Sequence, residues 1–236
     1  MRRAYSSRRL GSAWLLMWVC FTAAALKADE PTREQARPHG VRVPVPNEAI
    51  RVDDGDTIVI AWSQTQVETV RMLGIDAPET QHVEHDVPFD QPFGPEARAF
   101  VQGVLAVAER VELVRAAMLD TYGRTLGYVF VNGTNVSVLM LSAKLAVETV
   151  SVFGDNGLPE PAAACVAAAA AAGPVPFESP YLYRKRMREV AERMRADGLL
   201  PPKKQPATGR TGAGPQAENN RPRPFVPAAR STPPAP

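Results

Sequence analysis

The chain has 236 residues, and its formal net charge of +2 is misleading: residues 1–28 hold five of the 27 basic residues and none of the 25 acids, leaving 22 basic against 25 acidic residues, a net of −3, for the remainder. That balance excludes a generic polycation, so any binding to nucleic acid has to rest on local patches. Two cysteines, Cys20 and Cys165, exclude a disulfide-built scaffold and argue against a zinc site.

The first segment, "MRRAYSSRRLGS", is basic, and "AWLLMWVCFTAAAL" follows as an apolar run of about fourteen residues, suited to a signal-peptide core and short of the roughly 20 that span a bilayer. Residues 1–28 therefore read as a signal peptide cut after Ala28, with an uncleaved anchor as the alternative. Residues 29–45 are polar and proline-containing and read as a flexible linker. At the other end, residues 201–236 hold ten of the 23 prolines and few bulky apolar groups, the composition of a disordered tail.

Between them, residues 46–200 read as one domain. "AIRV" is a first short strand ending in "DDGD". "TIVIAW" (57–62) and "VETVRML" (67–73) are β-branched strands separated by "SQTQ". Residues 94–110 predict a helix, with Pro95 at its first turn and an apolar stripe of Ala97, Phe100, Val101, Val104, Leu105 and Val107. "VELVRA" and "GRTLGYVFV" are the fourth and fifth strands, the latter closed by the turn signal Asn132-Gly133. A short buried helix follows, capped by Asn135. Residues 154–178, rich in alanine and proline, read as an insertion in a surface loop. A long charged helix runs from Ser179 toward Gly198. The sequons at Asn132 and Asn135 are explained by these turn and cap roles. Five strands and three helices in this order predict an α+β domain: a five-stranded β-barrel with three packed helices, closed because closure removes exposed edges.

The strand ending "VRMLGIDAPET" concentrates charge at one rim. If residues 57–62 and 67–73 form a hairpin around 63–66, partner numbers sum to about 129, placing Asp56 opposite Leu73 and Arg71 opposite Ile58 on one face. Asp76 and Glu79 leave the same end. "DGD" alone is a turn with a solvated acid. Beside a second carboxylate and a backbone carbonyl, it offers the oxygen ligands that a hard divalent cation takes. Arg124, at the start of the fifth strand, would add a second guanidinium to Arg71 in a phosphate clamp.

"DDGDTI", "VRMLGIDAPET", "FGPEARAF" and "DTYGRTLGYVFV", in this order and spacing, resemble the thermonucleases, the staphylococcal (micrococcal) nuclease-like family. The resemblance spans roughly 48–150 and resumes weakly over 181–200. It implies an OB-fold barrel and calcium-dependent hydrolysis of phosphodiesters in DNA and RNA with little sequence specificity. It further implies that Asp56, Asp76 and the carbonyl of Ala77 hold one Ca2+, that Glu79 orients or deprotonates water, and that Arg71 and Arg124 clamp the phosphate. Tyr122 and Thr121 would meet substrate, and Asp54 and Gly55 would support the loop. Departures are Ala77 where threonine occurs, Thr121 where the family is often basic, Val150 and Val152 where nucleotide-stacking tyrosines occur, with Phe153 nearby as a partial replacement, and an acidic loop after Glu79. In that loop His82, Glu84, His85 and Asp86 are read as solvated in preference to an accessory metal site. The expectation is an exported monomeric endonuclease acting on DNA or RNA and touching a membrane only through an uncleaved leader. The alternative is an OB module that binds nucleic acid or protein without cutting.

Overall fold

The computed structural model describes residues 33–203, so the expected leader and nearly all of the expected tail lie outside the described residues. Strands β1 (Arg42–Val45), β2 (Ile50–Asp54), β3 (Thr57–Ala61), β4 (Val67–Met72), β6 (Val111–Leu119), β7 (Thr125–Val131) and β8 (Thr134–Asn135) form one sheet, in which the order is β1-β6-β7-β4-β3-β2 and β8 pairs with β7. A separate pair joins β5 (Ile75–Asp76) to β9 (Val147–Glu148). All these pairings are antiparallel except β4 with β7.

The fold is the expected α+β OB fold, but the sheet does not close. No ladder joins β1 to β2, the two ends of the order. Those ends are nevertheless consecutive in the chain, separated by a single turn of 3-10 helix over Asn47–Ala49. Five residue steps from Val45 to Ile50 reach at most about 18 Å, so the sheet has to curl until its edges approach. Asn47 Nδ2 ties this turn to Leu105 O at 2.8 Å.

Five α-helices stand among the described residues, where three were expected: α1 (Gly94–Ala106), α2 (Val136–Ser142), α3 (Val150–Phe153), α4 (Pro159–Ala172) and α5 (Pro180–Ala196). The stripe on α1 faces the core through Ala97, Val101 and Leu105, whereas Val107 lies past the helix end and is exposed. Asn135 caps α2, its Oδ1 accepting from Ser137 N at 2.9 Å. The turn at Asn132-Gly133 has both φ angles positive, 50° and 86°, as a two-residue hairpin turn requires.

Two stretches differ from the sequence reading. Residues 33–45 are not a free linker: β1 pairs with β6 from Arg42↔Val114 to Val45↔Val111, and Gln35 is buried with Nε2 donating to Thr125 Oγ1 at 3.0 Å. Within 154–178, the alanine-rich run forms α4, whose Ala162 and Cys165 enter the core. Alanine's small side chain lets α4 approach closely: a Cβ on Gly74 would lie 2.8 Å from Cys165 Sγ, and Gly74 also has φ +81°.

The hairpin register is one residue from the expected one, with Thr57↔Arg71 and Ile58↔Val70. Trp62 and Ser63 both donate to Gln66 O, so the loop is built asymmetrically and its centre falls at residue 64. Asp56 thus sits in the turn before β3, with its carbonyl accepting from Met72 N at 2.8 Å.

Candidate active site

The site grows from the turn at Asp54–Thr57. Asp54 Oδ1 accepts from Gly55 N at 2.6 Å and folds the chain back. Gly55 is required by proximity: a Cβ there would lie 2.7 Å from Ala77 Cβ and 3.0 Å from Ala97 Cβ. The turn therefore presses directly on the segment after β5. Asp56 reaches across it, Oδ2 accepting from Ala77 N at 2.8 Å and Oδ1 from Thr57 Oγ1 at 3.1 Å. These bonds fix the carboxylate whatever the register of the strands behind it.

Arg71, near the end of β4, gathers the acids. Its Nη1 pairs with Asp56 Oδ2 and its Nη2 with Asp76 Oδ1, the latter at 2.9 Å. Burial pushes the Arg71 pKa down; Asp76 draws it back up, while the charges of Arg124 and Arg184 depress it further. Arg124 and Arg184 therefore each lie close enough to Arg71 for their charges to act on it.

Glu79 lies three residues beyond Asp76. Gln91, almost fully buried, clamps its backbone, with Glu79 N donating to Gln91 Oε1 at 3.1 Å and Gln91 N to Glu79 O at 2.8 Å. Gly94 is the second glycine that proximity demands, because a Cβ would fall 2.2 Å from Glu79 O. Burial raises the Glu79 pKa above the ordinary carboxylate range; Arg184 opposes that rise and Asp54 adds to it. Asp54 is raised too, again mainly by burial, against the pull of the Gly55 N–H, His82 and Arg71.

Arg124 stands at the end of a turn organised by Asp120. Asp120 Oδ1 accepts from Tyr122 N and Arg124 N, both at 2.8 Å, and its Oδ2 accepts from Arg124 Nε at 2.6 Å. Tyr122 is exposed, its ring under the Arg124 guanidinium at 5.6 Å, and Thr121 is exposed beside it.

Sequence reasoning missed four members of this group. Arg184 on α5 donates from Nη1 to Asp76 Oδ1 and from Nη2 to Asp76 Oδ2, both at 3.0 Å, and also pairs with Glu79 Oε1. Gln91, Asp120 and Thr57 hold Glu79, Arg124 and Asp56 respectively. A basic helix reads as a solvated face, so Arg184 carried no local signal. Asp120 was legible in principle, as an acid four residues before Arg124 across a Gly-containing turn.

The donor set for a divalent cation is right in kind, since Asp56 and Asp76 offer hard oxygens on two sides of one guanidinium. Its present partners are guanidinium groups, and among the described residues no three or more His, Cys, Asp or Glu side chains converge as a preformed metal cage. The loop after Glu79 departs from the solvated reading at Asp86, whereas Glu84 and His85 are exposed. Asp86 there is buried and pairs with Arg195 Nη2 and Lys203 Nζ, each at 2.6 Å. Of the expected stacking positions on α3, Val150 is half-buried and Val152 exposed, as is the neighbouring Phe153; α3 directly follows β9, the partner of β5.

Residues 69–166 match the family model described as staphylococcal nuclease homologue. Over about 100 residues the chain is 40% identical to the thermonuclease of Staphylococcus hyicus and 41% identical to that of Staphylococcus intermedius, in each case over 42% of this chain and 53% of the relative. It is 36% identical to the SPbeta prophage-derived endonuclease YokF of Bacillus subtilis over 41% of this chain and 31% of that protein. Over residues 69–166 the chain is similar to the thermonucleases. It spans about half the length of the curated thermonucleases it matches. The matched segment contains Arg71, Asp76, Glu79 and Arg124, while Asp56 precedes it and Arg184 follows it.

Proposed function

We propose that this protein is an exported, metal-dependent endonuclease that hydrolyses phosphodiester bonds in DNA and RNA with little sequence specificity, with calcium as its ion. The observation that carries the reading is the convergence on Arg71: one guanidinium joins Asp56 and Asp76 and feels the charge of Arg124. The relatives named as thermonucleases and an endonuclease support the class of reaction.

Asp56, Asp76 and the backbone carbonyl of Ala77 would hold the cation. When bound, a divalent ion there supplies charge neutralisation at the phosphate and makes water a better nucleophile. Glu79, its pKa raised by burial, accepts the proton of the attacking water; a base nearer the working pH gains in proton-transfer driving force. Arg71 and Arg124 bind the non-bridging oxygens of the scissile phosphate and stabilise the charge added in the five-coordinate transition state. Asp120 keeps the Arg124 fork aimed by holding its Nε, and the exposed Tyr122 and Thr121 meet the flanking phosphates. Asp54 and Gly55 set the turn that carries Asp56. The leader-like composition of residues 1–28 is the basis for export, and N-terminal sequencing of protein recovered outside the producing cell tests it.

Incubation of the purified full chain with single-stranded DNA, in calcium or in chelator, tests the activity. Shortened products in calcium alone are expected. Retention of intact DNA on the protein in both conditions would make it a binding module. Arg124→Ala should lower cleavage by about 100- to 1,000-fold, the cost of losing one preorganised donor, with an unchanged circular dichroism spectrum.

A further inference from the structure

Arg184 is the one side chain of α5 that reaches the acidic pocket. Tyr183, beside it, is buried and donates from its hydroxyl to Phe89 O at 3.1 Å and Asp90 O at 3.0 Å. Met187, one turn on, packs with Tyr183 against Val87. Those contacts dock the helix, and the docking sets where the guanidinium lies. Lys185, Arg186 and Arg188 are exposed on the same helix, whereas Arg184 is partly buried.

The fork engages both oxygens of Asp76 at 3.0 Å and touches Glu79 as well. Asp76 Oδ1 is shared with Arg71. Both Asp76 oxygens thus accept hydrogen bonds from guanidinium groups. Arg71 bridges Asp56 and Asp76, and Arg184 bridges Asp76 and Glu79. Removing Arg184 would leave Glu79 without its ion pair and Asp76 with Arg71 alone. A cation coordinated by Asp76 needs an oxygen that the fork now occupies, and two positive groups repel at that distance.

We propose that Arg184 is a built-in counter-ion that competes with the divalent cation for Asp76, so that cation loading requires the guanidinium to withdraw. This rests on the metal-dependent reading above. In the cation-free protein the arginine relieves repulsion among the acids and holds α5 over the pocket. Its presence weakens cation affinity and ties loading to a movement of the arginine side chain or of the first turns of α5. A residue that merely braced the carboxylates would act in the opposite direction, since its loss would loosen the ligands and weaken binding.

Isothermal titration of calcium into the full chain, without nucleic acid, decides between these. Arg184→Gln should bind calcium about tenfold or more tightly than the unsubstituted chain, in line with release of a hydrogen-bonded charged partner. Arg184→Lys, which keeps the charge but cannot engage both oxygens, should fall between them. Equal or weaker binding by Arg184→Gln overturns the proposal, as does absence of calcium binding in both proteins. Should Arg184→Gln fail to fold in chelator, Arg184→Lys carries the test alone, tighter binding supporting the proposal and equal or weaker binding overturning it. Cleavage by the unsubstituted chain in saturating calcium is measured separately. Its absence would remove the nuclease reading, while the order of calcium affinities would still judge the role of Arg184.

Discussion

Glu79 shows how the site sets stability against function. Burial and the Asp54 carboxylate hold its pKa up despite the Arg184 pair, so the folded chain keeps this proton more tightly than the unfolded chain does. The stability it contributes is therefore complete below the unfolded glutamate value of about 4.3 and is lost as pH rises through the folded pKa. Glu79→Gln removes that loss. In urea unfolding with chelator present, the variant should gain on the unsubstituted chain as pH climbs from about 4 to about 7. The same substitution should lower cleavage by about 100- to 10,000-fold, the usual worth of a positioned base. A variant that loses stability at neutral pH would show that the Arg184 pair outweighs burial. Arg71, Asp76 and Glu79 were legible because they lie within nine residues at a strand end, where their order alone implies proximity. Arg184 was not, since its partner Glu79 is 105 positions earlier and only the docking of α5 brings them together.

Among the elements, the pair Glu68 and Arg115 fastens β4 to β6 across β7. Arg115 donates from Nε and Nη2 to the two Glu68 oxygens at 2.8 Å, and Thr125 and Trp62 each add a bond at 2.6 Å. Both side chains are at most 3% exposed. Burial alone would raise the Glu68 pKa, but the donors outweigh it and hold the carboxyl below its ordinary value. Its stabilisation is present above the unfolded value and is lost as pH falls through the folded one. Glu68→Leu or Arg115→Met alone should cost about 3–5 kcal/mol in urea unfolding, and the double substitution much less, because a single change strands a buried charge. A double variant as unstable as the sum of the singles would contradict that account. The pair was invisible in sequence, as was the role of α4, whose alanines carry no periodic signal. Cys165 reports on that helix. It is fully buried, and burial pushes its thiol up to about 12. A thiol reagent at pH 8 should modify it only after denaturant is added. Prompt modification of the native chain would mean that α4 is not seated on the core. The expected hairpin went astray by one residue because strand composition located β3 and β4 but did not fix the loop between them. Asp56 still met Arg71, held by Thr57 and the Ala77 N–H independently of the ladder.

At the scale of the whole molecule, the order of strands places the burden on a segment whose composition concealed it. Residues 33–45 look like linker because they are polar and rich in proline, yet their backbone completes one edge of the sheet. Leu119 N donates to Arg33 O at 2.7 Å, Gln35 N to Ala117 O at 2.8 Å and Gly40 N to Arg115 O at 2.9 Å, while Val45 is buried at the far end of β1. The first two of these bonds fasten the end of β6 immediately before the Asp120–Arg124 turn, and Gln35 reaches Thr125 immediately after it. The segment therefore bears on Arg124 as well as on the edge. Deletion of residues 1–45 should cost about 2–4 kcal/mol, of which burial of Val45 alone accounts for about 1.5–3 kcal/mol, and should expose the β6 edge to association. Cleavage at a concentration where the protein is still folded should fall through a weaker hold on phosphate, seen as a raised KM. Deletion of residues 1–28 is the matched control and should leave the unfolding midpoint unchanged. Urea titration, sedimentation velocity and steady-state cleavage of the two truncations measure all three effects. If the longer truncation matched the shorter in midpoint and KM, the edge pairing would contribute nothing and Arg124 would be aimed by Asp120 alone.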